Sequence, residues 1–238
     1  MNFLLPPNSA LFWISLVFAV PAVLAAAASA PWRLLLAAPA RQHLFLASSL
    51  GLSLVWLFGV TVKNAIIFHP ILMTATTMVL GWSLAQVAGL VALILLLLFQ
   101  TALRSAWVGW DLAYSQLHLT TVPLDYCLNV LVPATWTWIV IGIVNRWHFK
   151  NPFTYFLGVG FFGAMVGCLW IDLAALALCY WAGSTAHWVI LKDHFWLFLL
   201  MTFPEGFING TLATAFTVFM PDLVKTYQES WFVQSDKQ

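Results

Sequence analysis

The fold is decided by residues 66–103, which read IIFHPILMTATTMVLGWSLAQVAGLVALILLLLFQTAL and contain no Asp, Glu, Lys or Arg. As one straight α-helix this stretch would be about 57 Å long, roughly twice the hydrocarbon thickness of a bilayer. It must therefore fold back, and Gly81 is the expected turn because glycine readily leaves a helix. We predict one membrane span at residues 66–80 and another at residues 83–103.

The composition of the whole chain is typical of a membrane protein. Of its 238 residues, 63% are hydrophobic and only 7% are charged, whereas a soluble domain has about 25% charged residues. Soluble enzymes, nucleic-acid binders, disordered chains and secreted disulfide scaffolds are therefore excluded. The net charge of +1 leaves no basic face for a polyanion, so nucleic acid is not expected as a partner. We expect a single membrane domain over residues 1–238.

Apolar runs elsewhere predict further spans, so the chain is expected to be an all-α, polytopic membrane protein with a bundle of about seven transmembrane helices. The predicted spans cover residues 10–29, 43–62, 66–80, 83–103, 124–144, 152–181 and 194–220. With the N-terminus outside, six Lys and Arg residues fall in inner connections and three in outer ones. The positive-inside rule therefore predicts an outer N-terminus and a cytoplasmic C-terminus.

Three polar residues are predicted at membrane depth, where such side chains are costly and are commonly functional: Glu205, Asn209 and Asp172. Glu205 and Asn209 are four residues apart and share a helix face, beside the helix-breaking Pro204. Two interpretations are open for this pair: it faces a cavity, or it ties helices together by hydrogen bonds. The partner of Asp172 cannot be identified from the sequence.

A candidate outer site begins at His69, which precedes Pro70 in the third predicted span. Proline is tolerated in the first helical turn, so His69 is expected at the mouth of a helix that carries Met73 and Thr77 on the same face. Imidazole, thioether and hydroxyl groups on one stripe would line a substrate cavity. Methionine is also a common packing residue, and that interpretation stays open for Met73.

Two more candidate residues lie between the fourth and sixth spans. Asn129 places an amide at membrane depth in the fifth span, where it is expected to contribute to the substrate cavity. His118 lies in the long connection at residues 104–123, which is predicted to be functional because long loops in compact proteins often are. The sequence contains no nucleophile–base set, phosphate-binding loop or haem-binding pair of histidines, so no enzymatic activity is predicted.

Four segments follow one another along the chain: FLLPP at residues 3–7, FHP at residues 68–70 leading to GW at 81–82, LNV at 128–130 before Pro133, and PEGFING at 204–210 before PDL at 221–223. They resemble the motifs GFLSPP, SGHLLGG…LGPWAG, NIFNMGVVGP and EGVITG…RPDLL of the CbiM/NikM family. This family comprises the substrate-binding membrane permeases of energy-coupling-factor transporters for cobalt and nickel. In this resemblance, His69 takes the place of the family's histidine.

The resemblance implies a seven-span permease with its N-terminus outside and an outer site beneath the N-terminal segment. The cargo would be a divalent transition metal ion such as cobalt or nickel, or a small metal complex, and no tightly bound cofactor is expected. The implied partners are a transmembrane coupling protein and cytoplasmic ATPase subunits, and the implied location is the plasma membrane of a prokaryote. ATP hydrolysis would belong to those partners, because this chain has no phosphate-binding loop.

The chain departs from the family at its N-terminus. Family members begin Met-His and bind metal through the N-terminal amine, that histidine and the histidine represented by His69, whereas this chain begins Met1-Asn2. Only His69 carries over as a ligand, and His118 is the candidate replacement for the missing one. The weakened ligand set and the 14 tryptophans support an alternative, a non-transporting membrane subunit that scaffolds or assembles a larger complex.

Overall fold

The computed structural model describes residues 2–3, 9–63, 66–108, 119–147 and 151–227. Within these residues the fold is all-α apart from one small sheet. Its helices are α1 (Ala10–Ser29), α2 (Trp32–Ala37), α3 (Pro39–Leu57), α4 (Met73–Leu80), α5 (Trp82–Val108), α6 (Leu119–Arg146), α7 (Thr154–Trp181), α8 (Thr185–Asp193) and α9 (Phe195–Phe219). Helices α6 and α7 each include a π-helical stretch, at Cys127–Leu131 and Thr154–Gly163.

Four of the described helices, α1, α5, α6 and α7, are long and apolar enough to cross a membrane. They coincide with the first, fourth, fifth and sixth predicted spans, and they indicate a membrane protein. Helices α3 and α9 lie where the second and seventh spans are predicted, but they do not combine the same length and apolarity. The predicted count of about seven spans is thus supported for four of them.

The third predicted span, residues 66–80, is not one helix as predicted. Residues Ile66–Phe68 form a β-strand, and α4 begins only at Met73 and has 8 residues. A helix of that length is about 12 Å long, less than half the hydrocarbon thickness. Two local features delay the helix. His69 precedes a proline and so avoids the helical conformation, and Leu72 has a left-handed φ of 58°. Pro70 therefore precedes the helix and does not occupy its first turn.

The predicted turn at Gly81 is confirmed. Gly81 separates α4 from α5 with φ 77° and ψ 165°, a conformation that side-chain-bearing residues avoid. Its backbone N–H donates to the carbonyl of Thr77 at 2.8 Å, which ends the short helix. The long apolar stretch is thereby divided into a short, fully buried helix and the 27-residue helix α5.

The sheet has three short antiparallel strands in the order β1–β3–β2: β1 (Asn2–Phe3), β2 (Val60–Val62) and β3 (Ile66–Phe68). Asn2 lies opposite Ile67, so the N-terminal strand runs beside the segment that leads directly into His69. The sheet therefore places the N-terminal strand next to the segment before His69, the two parts of the chain that are predicted to form the outer site.

Helices α7 and α9 approach each other closely through glycine. A Cβ atom at Gly206 would lie 2.5 Å from Cγ of Met165 and 2.9 Å from the carbonyl oxygen of Phe161. A Cβ at Gly160 would lie 3.2 Å from both Cβ of Ala213 and the backbone of α9. Small residues at such positions let two helix backbones pack together where lipid provides no hydrophobic driving force. This contact fixes the relative position of the two helices that carry Asp172 and Glu205.

Candidate binding cavity

A cavity of about 240 Å³ lies where β2, β3, the link before α4, and helices α7 and α9 meet. Four of its fifteen lining residues have polar or ionisable side chains: His69, Cys168, Asp172 and Glu205. The other eleven lining residues are apolar. Three of the four polar residues are predicted from the sequence, and the fold brings them together from positions up to 136 residues apart (205 − 69).

Glu205 closes the N-terminal end of α4. Its Oε2 accepts a hydrogen bond from the N–H of Ile71 at 2.8 Å, and its Oε1 accepts one from the N–H of Leu72 at 2.7 Å. Backbone N–H groups at the start of a helix lack partners within it and carry partial positive charge. The carboxylate of Glu205 accepts these hydrogen bonds and offsets the partial positive charge. It does so in the protein interior, since only 7% of Glu205 is exposed. Glu205 thus lines the cavity and also ties α9 to the start of α4.

Asn209 completes this arrangement from the next turn of α9. Its Oδ1 accepts a hydrogen bond from the N–H of Ala75 at 2.8 Å, and its Nδ2 donates to Oε1 of Glu205 at 2.7 Å. The same Nδ2 also donates to the carbonyl of Glu205 at 2.8 Å. The predicted shared face of Glu205 and Asn209 is confirmed. Because both oxygens of Glu205 and the amide oxygen of Asn209 accept hydrogen bonds, this pair holds α4 in place.

Asp172 presents the opposite situation. It lies on α7 with only 2% of its surface exposed, and its Oδ2 is buried without a hydrogen-bond partner among the described residues. No Lys or Arg is among the residues that line its cavity. A buried carboxyl oxygen without a partner is costly, particularly in a membrane, and such groups usually serve a function. Of the two carboxyl groups in the cavity wall, Asp172 is therefore the one available to a ligand.

His69 also lines the cavity, from the link between β3 and α4. Only 8% of it is exposed, its Nδ1 lies 3.2 Å from the carbonyl of Pro70, and its ring lies against Trp56 with centroids 5.5 Å apart. Trp56 in turn donates from Nε1 to the carbonyl of Ile71 at 3.1 Å. The indole of α3 therefore supports both the imidazole and the link that positions it.

Three residues predicted to line the substrate cavity, Met73, Thr77 and Asn129, are completely buried but do not line the cavity that contains His69. For Met73 and Thr77 the reason is that α4 begins after the link, so its side chains pack into the surrounding helices. The Oγ1 of Thr77 is buried without a hydrogen-bond partner among the described residues. A role of these three residues in substrate binding stays a prediction.

The predicted metal ligands are only partly visible. His118 lies outside the described residues, whereas His69 lies in the cavity wall. Across residues 9–63, 66–108, 119–147 and 151–227, no group of three or more His, Cys, Asp or Glu side chains is placed to hold a metal ion. Within this part of the chain, one imidazole, one thiol and two carboxyl groups line the cavity but are not clustered as metal ligands.

Cys168 is the cavity residue that sequence reasoning missed, because a cysteine in an apolar run resembles a small packing residue. All three cysteines are free thiols; Cys168 is half-buried, whereas Cys127 and Cys179 are buried. The usable signal was its spacing from Asp172, since residues four apart share a helix face. A cysteine one turn before an intramembrane acid therefore marks the face of α7 that lines the cavity.

The far end of α4 is held by the segment that follows α9. The backbone N–H of Lys225 donates to the carbonyl of Val79 at 3.0 Å, and the hydroxyl of Thr226 donates to the carbonyl of Met78 at 2.7 Å. The hydroxyls of Thr226 and Tyr155 are also hydrogen-bonded to each other. Helix α4 is therefore capped by α9 at its start and by the continuation of α9 at its end.

No protein-family model, curated protein or solved structure matches this chain. The resemblance to the cobalt and nickel permeases therefore rests on the quoted sequence segments. The cavity, its polar wall residues and the capped helix α4 are the structural observations on which a functional proposal can be based.

Proposed function

We propose that this protein is the substrate-binding membrane component of an energy-coupling-factor type transporter, and that its cargo is a divalent transition metal ion, such as cobalt or nickel, or a small metal complex. The observation that carries the proposal is the cavity lined by His69, Cys168 and Asp172, in which Oδ2 of Asp172 has no hydrogen-bond partner among the described residues. Imidazole, thiol and carboxyl groups are the side chains that bind transition metals in proteins. The N-terminal strand beside β3 supports a site that is covered from the N-terminal side.

The interrupted α4 segment also supports a transport function. Non-helical backbone at membrane depth is tolerated where it is buried in protein or lines a cavity, and substrate sites of transporters are commonly built from discontinuous helices. Here the link before α4 lines the cavity, and its N–H groups are satisfied by Glu205. The short helix α4 begins at the cavity, and this architecture is expected of a binding subunit more than of a purely structural subunit.

The proposal includes seven crossings with the N-terminus outside. In this count residues 66–80 form one crossing that is not a single helix: the three-residue strand β3 and the eight-residue helix α4 supply about 10 and 12 Å of length and are joined by the link at residues 69–72. Helices α3 and α9 are about 28 and 37 Å long, close to or above the hydrocarbon thickness of about 30 Å.

The positions of the basic residues support this orientation. Arg41 and Lys225, both predicted on the inner side, lie at one end of the bundle, where burial and the nearby Arg41 lower the pKa of Lys225. The side chain of Lys225 also covers Gly81, the predicted inner turn. Reporter fusions at Gln238 and within residues 182–193 test the orientation. The fusion at Gln238 is expected to be active in the cytoplasm and the other outside, and the reverse pattern would overturn it.

Binding of Co²⁺ and Ni²⁺ by the purified protein tests the proposed cargo. Calorimetry on the wild-type protein in detergent is expected to detect at least one of the two ions, and His69→Ala is expected to weaken that binding while the protein remains folded. His43→Ala is the matched control, because His43 is exposed and lies near Arg41 at the predicted inner end. A wild-type protein that binds neither ion nor any metal complex would favour the scaffolding alternative.

The proposed partners are a transmembrane coupling protein and a pair of cytoplasmic ATPases, since this chain supplies no phosphate-binding loop. In the cell of origin, an affinity-tagged chain is expected to co-purify with both kinds of subunit. The proposed location is the plasma membrane of a prokaryote. Co-purification with the subunits of a redox or biosynthetic complex would instead support the scaffolding alternative.

A further inference from the structure

The two carboxyl groups in the cavity wall differ in what the protein already provides for them. Glu205 receives three hydrogen bonds, from Ile71, Leu72 and Asn209, so its oxygens are occupied. Only 2% of Asp172 is exposed, and its Oδ2 has no hydrogen-bond donor among the described residues. A hydrogen-bond donor or a positive charge inside the cavity would supply the partner that Asp172 lacks among the described residues.

The size of the cavity indicates a polyatomic ligand. Its volume is about 240 Å³. A water molecule occupies about 30 Å³ in the liquid, so an octahedral metal ion with six water or ammine ligands fits within this space. A bare divalent ion would fill only a small part of it.

The chemistry of the wall points in the same direction. Eleven of the fifteen lining residues are apolar, and among them only Met201 has an atom that can bind a metal, its thioether sulfur. This part of the wall therefore cannot replace the several oxygen or nitrogen ligands that a metal ion would lose on entering. Asp172 and Cys168 lie one helical turn apart on α7, and His69 approaches from the link before α4. These groups are spaced around the cavity wall, an arrangement suited to contacts with the periphery of a ligand.

We propose, building on the proposed transport function, that the cargo is bound as a cationic metal complex that keeps its own ligands, and that Asp172 accepts hydrogen bonds from those ligands. The cargo class is thus a hydrated, ammine- or amine-coordinated metal ion. Asp172 supplies the compensating negative charge, and the apolar wall supplies shape. Glu205 is not part of this recognition, because its oxygens hold the start of α4.

Hexaamminecobalt(III) is the appropriate probe, because its ligands do not exchange and it can bind only through contacts with its N–H groups. Calorimetry on the purified wild-type protein is expected to detect binding of this complex. Asp172→Asn keeps the shape of the side chain but removes its charge, and it is expected to weaken binding by about tenfold or more, the loss typical of a hydrogen bond to a charged group. Asp193→Asn, at the exposed end of α8, is the matched control and should bind as the wild type does.

A second readout uses the wild-type protein alone. Because Cys168 lines the same cavity, hexaamminecobalt(III) is expected to slow the reaction of this thiol with a small methanethiosulfonate reagent. This measurement remains decisive if Asp172→Asn fails to fold. Absence of both binding and protection would overturn the inference.

The outcomes separate this inference from the proposed function. If the wild type binds Co²⁺ or Ni²⁺ but not hexaamminecobalt(III), the ion binds directly to protein groups; the transport proposal stands and the inference is wrong. If Asp172→Asn binds hexaamminecobalt(III) as tightly as the wild type, the inference is also wrong. If the wild type binds neither the free ions nor the complex, both the inference and the proposed cargo are overturned.

Discussion

The Oε1 atom of Glu205 accepts a hydrogen bond from the backbone N–H of Leu72 at 2.7 Å, across 133 residues of sequence. This bond holds Leu72 in a left-handed conformation, which costs a residue with a side chain about 1–2 kcal/mol. The link before α4 is therefore maintained by α9, and its own sequence does not favour its shape. The position of His69, three residues earlier, depends on the same link.

Replacement of Glu205 is expected to destabilise the protein in proportion to the donors left without a partner. Glutamine retains one acceptor oxygen but turns an N–H₂ group toward a backbone donor, so Glu205→Gln should lower the free energy of unfolding by about 1–3 kcal/mol. Glu205→Leu leaves the N–H groups of Ile71 and Leu72 unpaired and removes one of the two acceptors of the Asn209 amide group, so it should cost more. Thermal and detergent-induced unfolding, followed by tryptophan fluorescence, measures the difference.

Thr211→Val is the control for this series, because Thr211 is exposed on the same helix and its hydroxyl bonds only within α9. It should leave stability nearly unchanged. A Glu205→Leu variant as stable as the wild type would show that Glu205 does not hold α4.

Gly206→Ala is expected to destabilise the contact between α7 and α9. Its new methyl group would overlap Met165, which can move, and the backbone carbonyl of Phe161, which cannot. Overpacking of this kind typically costs about 1–3 kcal/mol. Gly142→Ala is the matched control, since nothing lies within 4 Å of its position and alanine favours a helix. Equal melting temperatures for the two variants would contradict the close approach of these helices.

The sequence predicts features that depend on length and local spacing. Gly81 could be identified because the apolar stretch around it is too long for one span, and the pairing of Glu205 with Asn209 follows from their four-residue separation. The partners of Glu205 could not be predicted, because they are backbone N–H groups, which every residue except proline possesses. The meeting of His69 and Asp172 in one cavity likewise depends on tertiary packing between distant helices.

The attachment of the C-terminal segment to α7 is expected to appear as energetic coupling between Tyr155 and Thr226. The two hydroxyls are hydrogen-bonded to each other, and that of Thr226 also donates to the carbonyl of Met78. A double-mutant cycle with Tyr155→Phe and Thr226→Val should give a coupling free energy of about 0.5–3 kcal/mol. The pair Tyr155→Phe and Thr211→Val should be additive. Additivity in both pairs would mean that the contact between these two hydroxyls does not hold the C-terminal segment against α7.

Cys168 is expected to be the cysteine that small thiol reagents modify in the folded protein. It lines the cavity, whereas Cys127 is 5% exposed and Cys179 is 1% exposed. Mass spectrometry after brief treatment with a methanethiosulfonate reagent should show one modification, and Cys168→Ala should remove it. Modification of all three cysteines at similar rates would contradict the expectation that Cys168 is more accessible than the other two.

The charge dependence of the same reaction tests whether Asp172 presents a negative charge to the cavity. A unit charge a few ångströms away contributes about 1 kcal/mol even in water, attracting the cationic aminoethyl reagent and repelling the anionic sulfonatoethyl reagent by that amount. The cationic reagent should therefore modify Cys168 roughly thirtyfold faster than the anionic one, after correction for their rates with a free thiol. In Asp172→Asn this preference should fall while the modification itself persists, and the carboxyl group of Glu205 in the same cavity wall accounts for any preference that remains. Asp193→Asn should retain it, because Asp193 lies outside the cavity. An unchanged preference in Asp172→Asn would show that another group sets the potential at Cys168.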